Sequence, residues 1–193
     1  MSLLRITHSL LASYMYATDS ESPDSAWDRF LWVLNREKEP DTPAMKEGRR
    51  FEEEVTRVAA GYTSEDAFAT EFGRLLDGGQ PQVRLEKRLN VSGLNFNLVG
   101  VADFIKAGVI YDIKRVQRYE YGKYQRSTQH PAYFRLIPEA NTFVYLIHDG
   151  KYNYQEHYLR ADTSPIEPYI MLFTEFLKTN KLFDIYQEKW EEK

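Results

Sequence analysis

The chain has 193 residues, 42% of them apolar and 28% charged, with 25 Lys and Arg against 29 Asp and Glu for a formal charge of −4. That balance excludes disorder over most of the length, and the complete lack of cysteine excludes disulfides, thiolate metal sites, iron–sulfur clusters and cysteine nucleophiles. No run of 18 apolar residues offers a membrane span, cytoplasm is the expected compartment, and a slightly acidic chain can hold nucleic acid only through a local basic patch.

Residues 1–41 read as helical and irregular. The stretch 1–17 is interrupted by His8 and Ser9 and reads as a buried amphipathic segment rather than a signal peptide. Residues 19–24 form a polar loop, a helix covers 26–35, and 36–41 is a charged connector. Thr42-Pro43 supplies a capping hydroxyl and a proline at the first helical position, for a helix running to about Ala60 and stopped by Gly61. Residues 62–80 hold one short helix and a Gly78-Gly79 turn.

From there the apolar period changes to two. Strands are predicted over 83–91, 94–105 and 109–114, turned by Ser92-Gly93 and Ala107-Gly108. A helix starts near Ser127, with Pro131 tolerated in its first turn. Strands over 142–147 and 152–159 are joined by Asp149-Gly150. Ser164-Pro165-Ile166-Glu167 reads as a capping box ahead of the apolar stripe Ile166, Ile170, Phe173 and Leu177. The expectation is one α/β (α+β) domain: a mixed central sheet of about five strands flanked by helices, with a helical segment 1–41, a core 42–160 and a C-terminal helix 164–193.

The chemistry concentrates in one hairpin. With Ala107-Gly108 as a two-residue turn, facing residues have numbers summing to 215, which sets Asp103 opposite Asp112 on one face beside Val99, Val101 and Ile110. Two facing carboxylates repel, and a hard divalent cation is the natural compensator. Lys114 follows Asp112 by two residues and so shares its face. The competing reading is a solvated face whose charges carry no chemistry.

A third carboxylate is available from the helix after Pro43. Glu52 shares a stripe with Met45, Gly48, Val55 and Ala59, whereas Glu53 lines up with Lys46, Arg49 and Arg57 on a solvated face. Glu52 is therefore expected to point inward, beside a glycine that permits close backbone approach. Downstream, 112–135 carries Lys114, Arg115, Arg118, Lys123, Arg126 and Arg135 against Asp112 and Glu120, with Tyr119, Tyr121, Tyr124, Tyr133 and Phe134 interleaved. Cations for phosphates and aromatics for bases compose a strand-binding groove; an amphipathic connector packed on the sheet has the same composition. Gln129 and Tyr133 lie one helical turn apart and face the same way. His8, His130, His148 and His157 show no ligand spacing and read as structural or exposed.

Gly48-x-x-x-Glu52, Gly100-x-x-Asp103, Asp112-Ile-Lys114 and Ser127-x-Gln129-x-x-x-Tyr133, in that order, resemble the PD-(D/E)XK nuclease superfamily, in particular its RecB-like branch, over about 42–147. The opening Ile6-Thr7-His8-Ser9-Leu10 is a weaker echo of it. The resemblance implies a restriction-endonuclease-like core and Mg²⁺- or Mn²⁺-dependent hydrolysis of DNA phosphodiesters. It implies that Asp103, Asp112 and the carbonyl of Ile113 hold the metal, with Glu52 completing the site directly or through water. Lys114 would orient the attacking water or neutralise developing charge, and Gln129 and Tyr133 would position a phosphate or terminal nucleotide, with Arg115, Arg118, Lys123 and Arg126 along the strand. No helicase motif is present, so the chain is most similar to stand-alone phage-type or recombination exonucleases acting in DNA recombination or repair. Such enzymes suggest DNA ends as substrate, a single-strand-annealing or helicase partner, and an oligomer such as a toroid. A non-catalytic nucleic-acid-binding domain and a structure-specific endonuclease are the alternatives.

Overall fold

The computed structural model describes residues 2–19, 23–37 and 40–192. The elements run β1 (Leu3–Ile6), α1 (His8–Asp19), α2 (Pro23–Leu34), α3 (Pro43–Ala59), α4 (Ala67–Leu76), β2 (Gln80–Val91), β3 (Leu94–Lys106), β4 (Val109–Arg115), α5 (Gln129–Leu136), β5 (Thr142–His148), β6 (Asn153–Leu159), α6 (Glu167–Thr179), α7 (Phe183–Trp190) and β7 (Glu191–Glu192). The expected α/β architecture is present as a mixed seven-stranded sheet in the order β6-β5-β4-β3-β1-β7, with β2 also paired to β3. The two strands beyond the expected five are β1 and β7. Among the described residues no helix is long and apolar enough to cross a membrane.

Helices cover both faces because the strands bury apolar side chains on both. One cluster joins Leu4, Ile6, Phe96, Leu98, Ala102, Ile110, Tyr145 and Ile147 of the sheet to α1, α2, α5, α6 and α7. The other joins Phe104, Ile113, Val144 and Leu146 to Phe51 and Val55 of α3 and Ala69, Phe72 and Leu76 of α4. Thr42 caps α3 as expected, its hydroxyl accepting from the Met45 amide. Both short hairpins close on turns with positive φ at each central residue, Ser92-Gly93 and Ala107-Gly108, the twist that suits two-residue connections.

Three expectations are corrected. The capping box before α6 does not form: Ile166 occupies the cap without a side-chain bond, and Pro168 stands in the first turn. The reason is that the Glu167 carboxylate, which would close the box, instead accepts from Arg135 Nε at 2.7 Å. The polar loop expected over 19–24 is narrower, since α1 runs through Asp19 and α2 starts at Pro23; 20–22, and 38–39 of the charged connector, lie outside the described residues. Gly48 does not mediate a close approach, because a Cβ there would meet nothing within 4 Å.

Candidate metal centre at a strand fork

β3 is bonded to β2 along one edge from Leu94 to Ile105. Its other edge is shared: β1 runs parallel to 95–98, and β4 runs antiparallel to 104–106. The two partners leave 99–103 uncovered between them, and the sheet forks there. The expected register holds, with Phe104 on Tyr111, Ile105 on Ile110 and Lys106 on Val109.

The ladder stops one pair short of the aspartates, so Asp103 and Asp112 do not face each other as a ladder pair. Instead the Asp103 carboxylate takes over where the main chain stops, Oδ2 accepting the Ile113 amide at 2.8 Å. Side-chain alternation also inverts at this point. Ala102 packs with the first apolar cluster and Phe104 with the second, although residues two apart in a regular strand share a face. Val101 is consequently exposed rather than buried beside Ile110.

α5 plugs the fork. Gly100 lets it approach, since a Cβ there would stand 3.0 Å from Leu136 Cδ1 and 3.2 Å from the Tyr133 ring. The Tyr133 hydroxyl donates to the Val101 carbonyl, one of the main-chain groups the fork leaves open. Gln129 Nε2 donates to Asp112 Oδ1. Both side chains are thus engaged within the site, Tyr133 on the open Val101 carbonyl and Gln129 on Asp112. The α5 cap residue Thr128 is tied to the N-terminus through its hydroxyl, which donates to the His8 carbonyl at 3.0 Å.

Asp112 is 5% exposed. Its Oδ2 has Lys114 Nζ at 2.7 Å but accepts no aligned hydrogen bond. The charges around it act on one another. Burial first, then the Asp112 and Glu52 charges, push the Asp103 carboxyl up to about 8. Burial and Asp112 also raise Glu52, against the hydrogen bond from Gln82 and the Lys114 charge. Burial works against the Lys114 ammonium, but Asp112 and Asp103 hold it above its ordinary value. Burial and then Lys114 push the His8 imidazole down to about 3, so His8 stands neutral beside the lysine.

Glu52 reaches the fork from α3 as the stripe argument expects, with Glu53 exposed on the outer face. Its Oε1 accepts from Gln82 Nε2 at 2.7 Å. Gln82 is not among the residues expected at the site. It adopts φ 51°, lies between the ladder pairs Pro81–Phe104 and Val83–Ala102, and so stands opposite Asp103. The signal was available: the Ser92-Gly93 turn makes facing numbers in this hairpin sum to 185, which pairs Gln82 with Asp103.

Three carboxyl groups and one ammonium share a partly desolvated site, where burial and the Asp112 and Glu52 charges hold a proton on Asp103. Carboxylate and main-chain oxygens, among them the buried Asp112 Oδ2 paired with Lys114 Nζ, are the donor set of a hard divalent cation. Among the described residues no three Asp, Glu or His side chains close around one point. An ion here would have one or two carboxylates for ligands and water in its remaining positions. The expected basic patch divides. Arg118, Lys123 and Arg126 are exposed on the loop after β4. Arg115 pairs with Glu47 at 2.7 Å, Arg135 with Glu167 at 2.7 Å, and Arg118 stands more loosely, 3.8 Å from Glu120.

No family model matches the chain, and no curated protein matches it. Among solved structures it is similar to the crystal structure of SSO0001, with 12% identity and a TM-score of 0.59, over 93% of this chain and 78% of that one. At that identity the likeness carries the fold alone.

Proposed function

We propose that the chain is a Mg²⁺- or Mn²⁺-dependent nuclease of the PD-(D/E)XK type, hydrolysing DNA phosphodiester bonds as an exonuclease in recombination, repair or phage DNA processing. The observation that carries this reading is Asp112, buried at the fork between Gln129 and Lys114 and electrostatically joined to Asp103 and Glu52. A purely binding surface has no use for a buried acidic centre with one embedded lysine.

Asp103, Asp112 and the Ile113 carbonyl would hold the ion, and Glu52, steadied by Gln82, would act on it through water. When bound, the ion lowers the pKa of its water and takes up charge on the scissile phosphate. Gln129 fixes the Asp112 carboxylate so that Oδ2 faces Lys114. The lysine ammonium is the group placed to orient a water and to neutralise charge as the phosphate is attacked. Neutral His8 adds no competing cation beside it.

End-labelled linear DNA and closed circular DNA, incubated with Mg²⁺ with and without a chelator, test the reading. Linear DNA degraded, circular DNA spared, and no product in chelator are expected. A nicked circle would make the enzyme an endonuclease, and binding without cleavage in any divalent metal would make the chain a nucleic-acid-binding domain. Gln82→Ala is expected to weaken Mn²⁺ binding about tenfold, as loss of a group orienting a ligand does, measured by calorimetric titration. Unchanged affinity would separate Glu52 from the metal.

A further inference from the structure

Glu156 in β6 is 3% exposed, and its carboxylate is filled by neutral donors. Oε1 accepts from the Tyr119 hydroxyl at 2.8 Å and the Gly122 amide at 2.9 Å; Oε2 accepts from the Tyr158 hydroxyl at 2.6 Å. Burying a carboxylate is costly unless its oxygens are satisfied in this way, and two of the three donors come from the loop between β4 and α5. The same loop is pinned twice more by rings. Tyr119 lies against Tyr154 with centroids 4.3 Å apart, and Tyr124 stacks on Tyr145 at 4.4 Å and 16°. The loop begins just after Lys114 and ends at Gln129, so both of its ends stand in the candidate site.

Between these pins one ring is left out. Tyr121 is 91% exposed, more than any other large apolar side chain among the described residues. Exposed Arg118, Lys123 and Arg126 flank it in sequence against one exposed carboxylate, Glu120, whose Oε1 lies 3.8 Å from Arg118 Nε, so the surroundings keep a net positive charge. A loop anchored at 119, 122 and 124 holds its tip without further ordering on binding, and an aromatic face amid cations matches a stacked base with its phosphates. A duplex hides the faces of its bases except at the ends, so the ligand that fits is an unpaired nucleotide.

We infer that Tyr121 is a stacking platform for an unpaired base of single-stranded nucleic acid entering the site, with Arg118, Lys123 and Arg126 on the phosphates and Glu156 holding the loop in place. The inference rests on the nucleic-acid reading above and specifies its substrate as a single strand or a frayed end.

Fluorescence anisotropy of labelled oligonucleotides in chelator, where nothing is cleaved, tests it with the full chain. Tyr121→Ala should weaken single-strand binding about tenfold, in the range of one lost base stack, and Tyr121→Phe should bind as the parent does. The slope of log affinity against log salt should be unchanged in Tyr121→Ala and fall by about one in Arg118→Ala, because only the second removes a phosphate contact. A duplex closed by hairpins at both ends should bind Tyr121→Ala and the parent equally. In Tyr121→Trp, indole emission should be quenched by a single strand. Parent-like single-strand affinity in Tyr121→Ala, or equal loss for single strand and closed duplex, would overturn the platform while leaving the nuclease reading intact. A parent that binds no oligonucleotide would overturn both.

Discussion

Replacing Lys114 with Ala should lower cleavage by about 10²–10³-fold, the usual cost of removing one preorganised stabiliser, and leave metal binding intact or tighter. The two halves of this expectation come from different features. Lys114 Nζ sits 2.7 Å from Asp112 Oδ2 with its side chain about a third exposed, so it neutralises a carboxylate that a metal would also claim. Removing the ammonium frees that oxygen for the ion while taking away the group that meets water and phosphate. Lys114→Arg should not rescue, since a planar guanidinium cannot replace a compact ammonium between Asp112 and Asp103. Single-turnover cleavage and Mn²⁺ titration on the same preparations separate the two effects. Parent-rate cleavage by Lys114→Ala together with an inactive Asp112→Ala would make the lysine a bystander in a real metal site.

The second large effect is on stability, and its sign follows from Asp103. Its carboxyl is held at about 8 in the folded protein, by burial and by Asp112 and Glu52, against about 3.9 in the unfolded chain. A raised carboxyl pKa means that the folded state keeps a proton which the unfolded state releases. The stability tied to that proton is fully present below about pH 4 and is lost as the pH rises toward 8. Asp103→Asn keeps an oxygen to accept the Ile113 amide and removes the titration. In metal-free buffer the variant should melt with the parent near pH 4 and several degrees above it at pH 8, the gap opening steadily between the two. Saturating Mn²⁺ should raise the melting temperature of the parent, more at pH 8 than at pH 6, and not that of Asp103→Asn. Equal metal shifts in both would remove the ion from the fork.

The elements that carry the chemistry were legible because their signals are local. Thr42-Pro43, the two X-Gly turns and the period-two runs fix α3 and the β2–β3–β4 meander, and turn arithmetic then fixes the register. What stayed hidden depends on contacts distant in sequence. β1 is only Leu3–Ile6, too short for its alternation to stand out from the helix after it, yet its pairing with 95–98 is what opens the fork. Nothing at 102–104 marks the inversion of alternation, which arises because β4 leaves β3 there and Asp103 bonds the Ile113 amide in place of the ladder. Glu156 lies in a strand of polar residues and reads as solvated; its burial comes from Tyr119 and Gly122, more than thirty residues earlier in the chain. Gln129 and Tyr133 share one face of α5, as their spacing predicts, but which way that face turns is set by Gly100 and by the open Val101 carbonyl.

The proposed chemistry requires a divalent ion between Asp103 and Asp112, at the fork between β1 and β4. Crystals grown with Mn²⁺ and measured at the manganese edge test it directly. One anomalous peak is expected about 2.1 Å from an oxygen of each aspartate, the distance a small hard cation takes, with Lys114 Nζ displaced from Asp112 Oδ2 and Glu52 reached through water. A protein that cleaves DNA in Mn²⁺ but shows its anomalous peak away from Asp103 and Asp112 would have its active centre elsewhere than the fork.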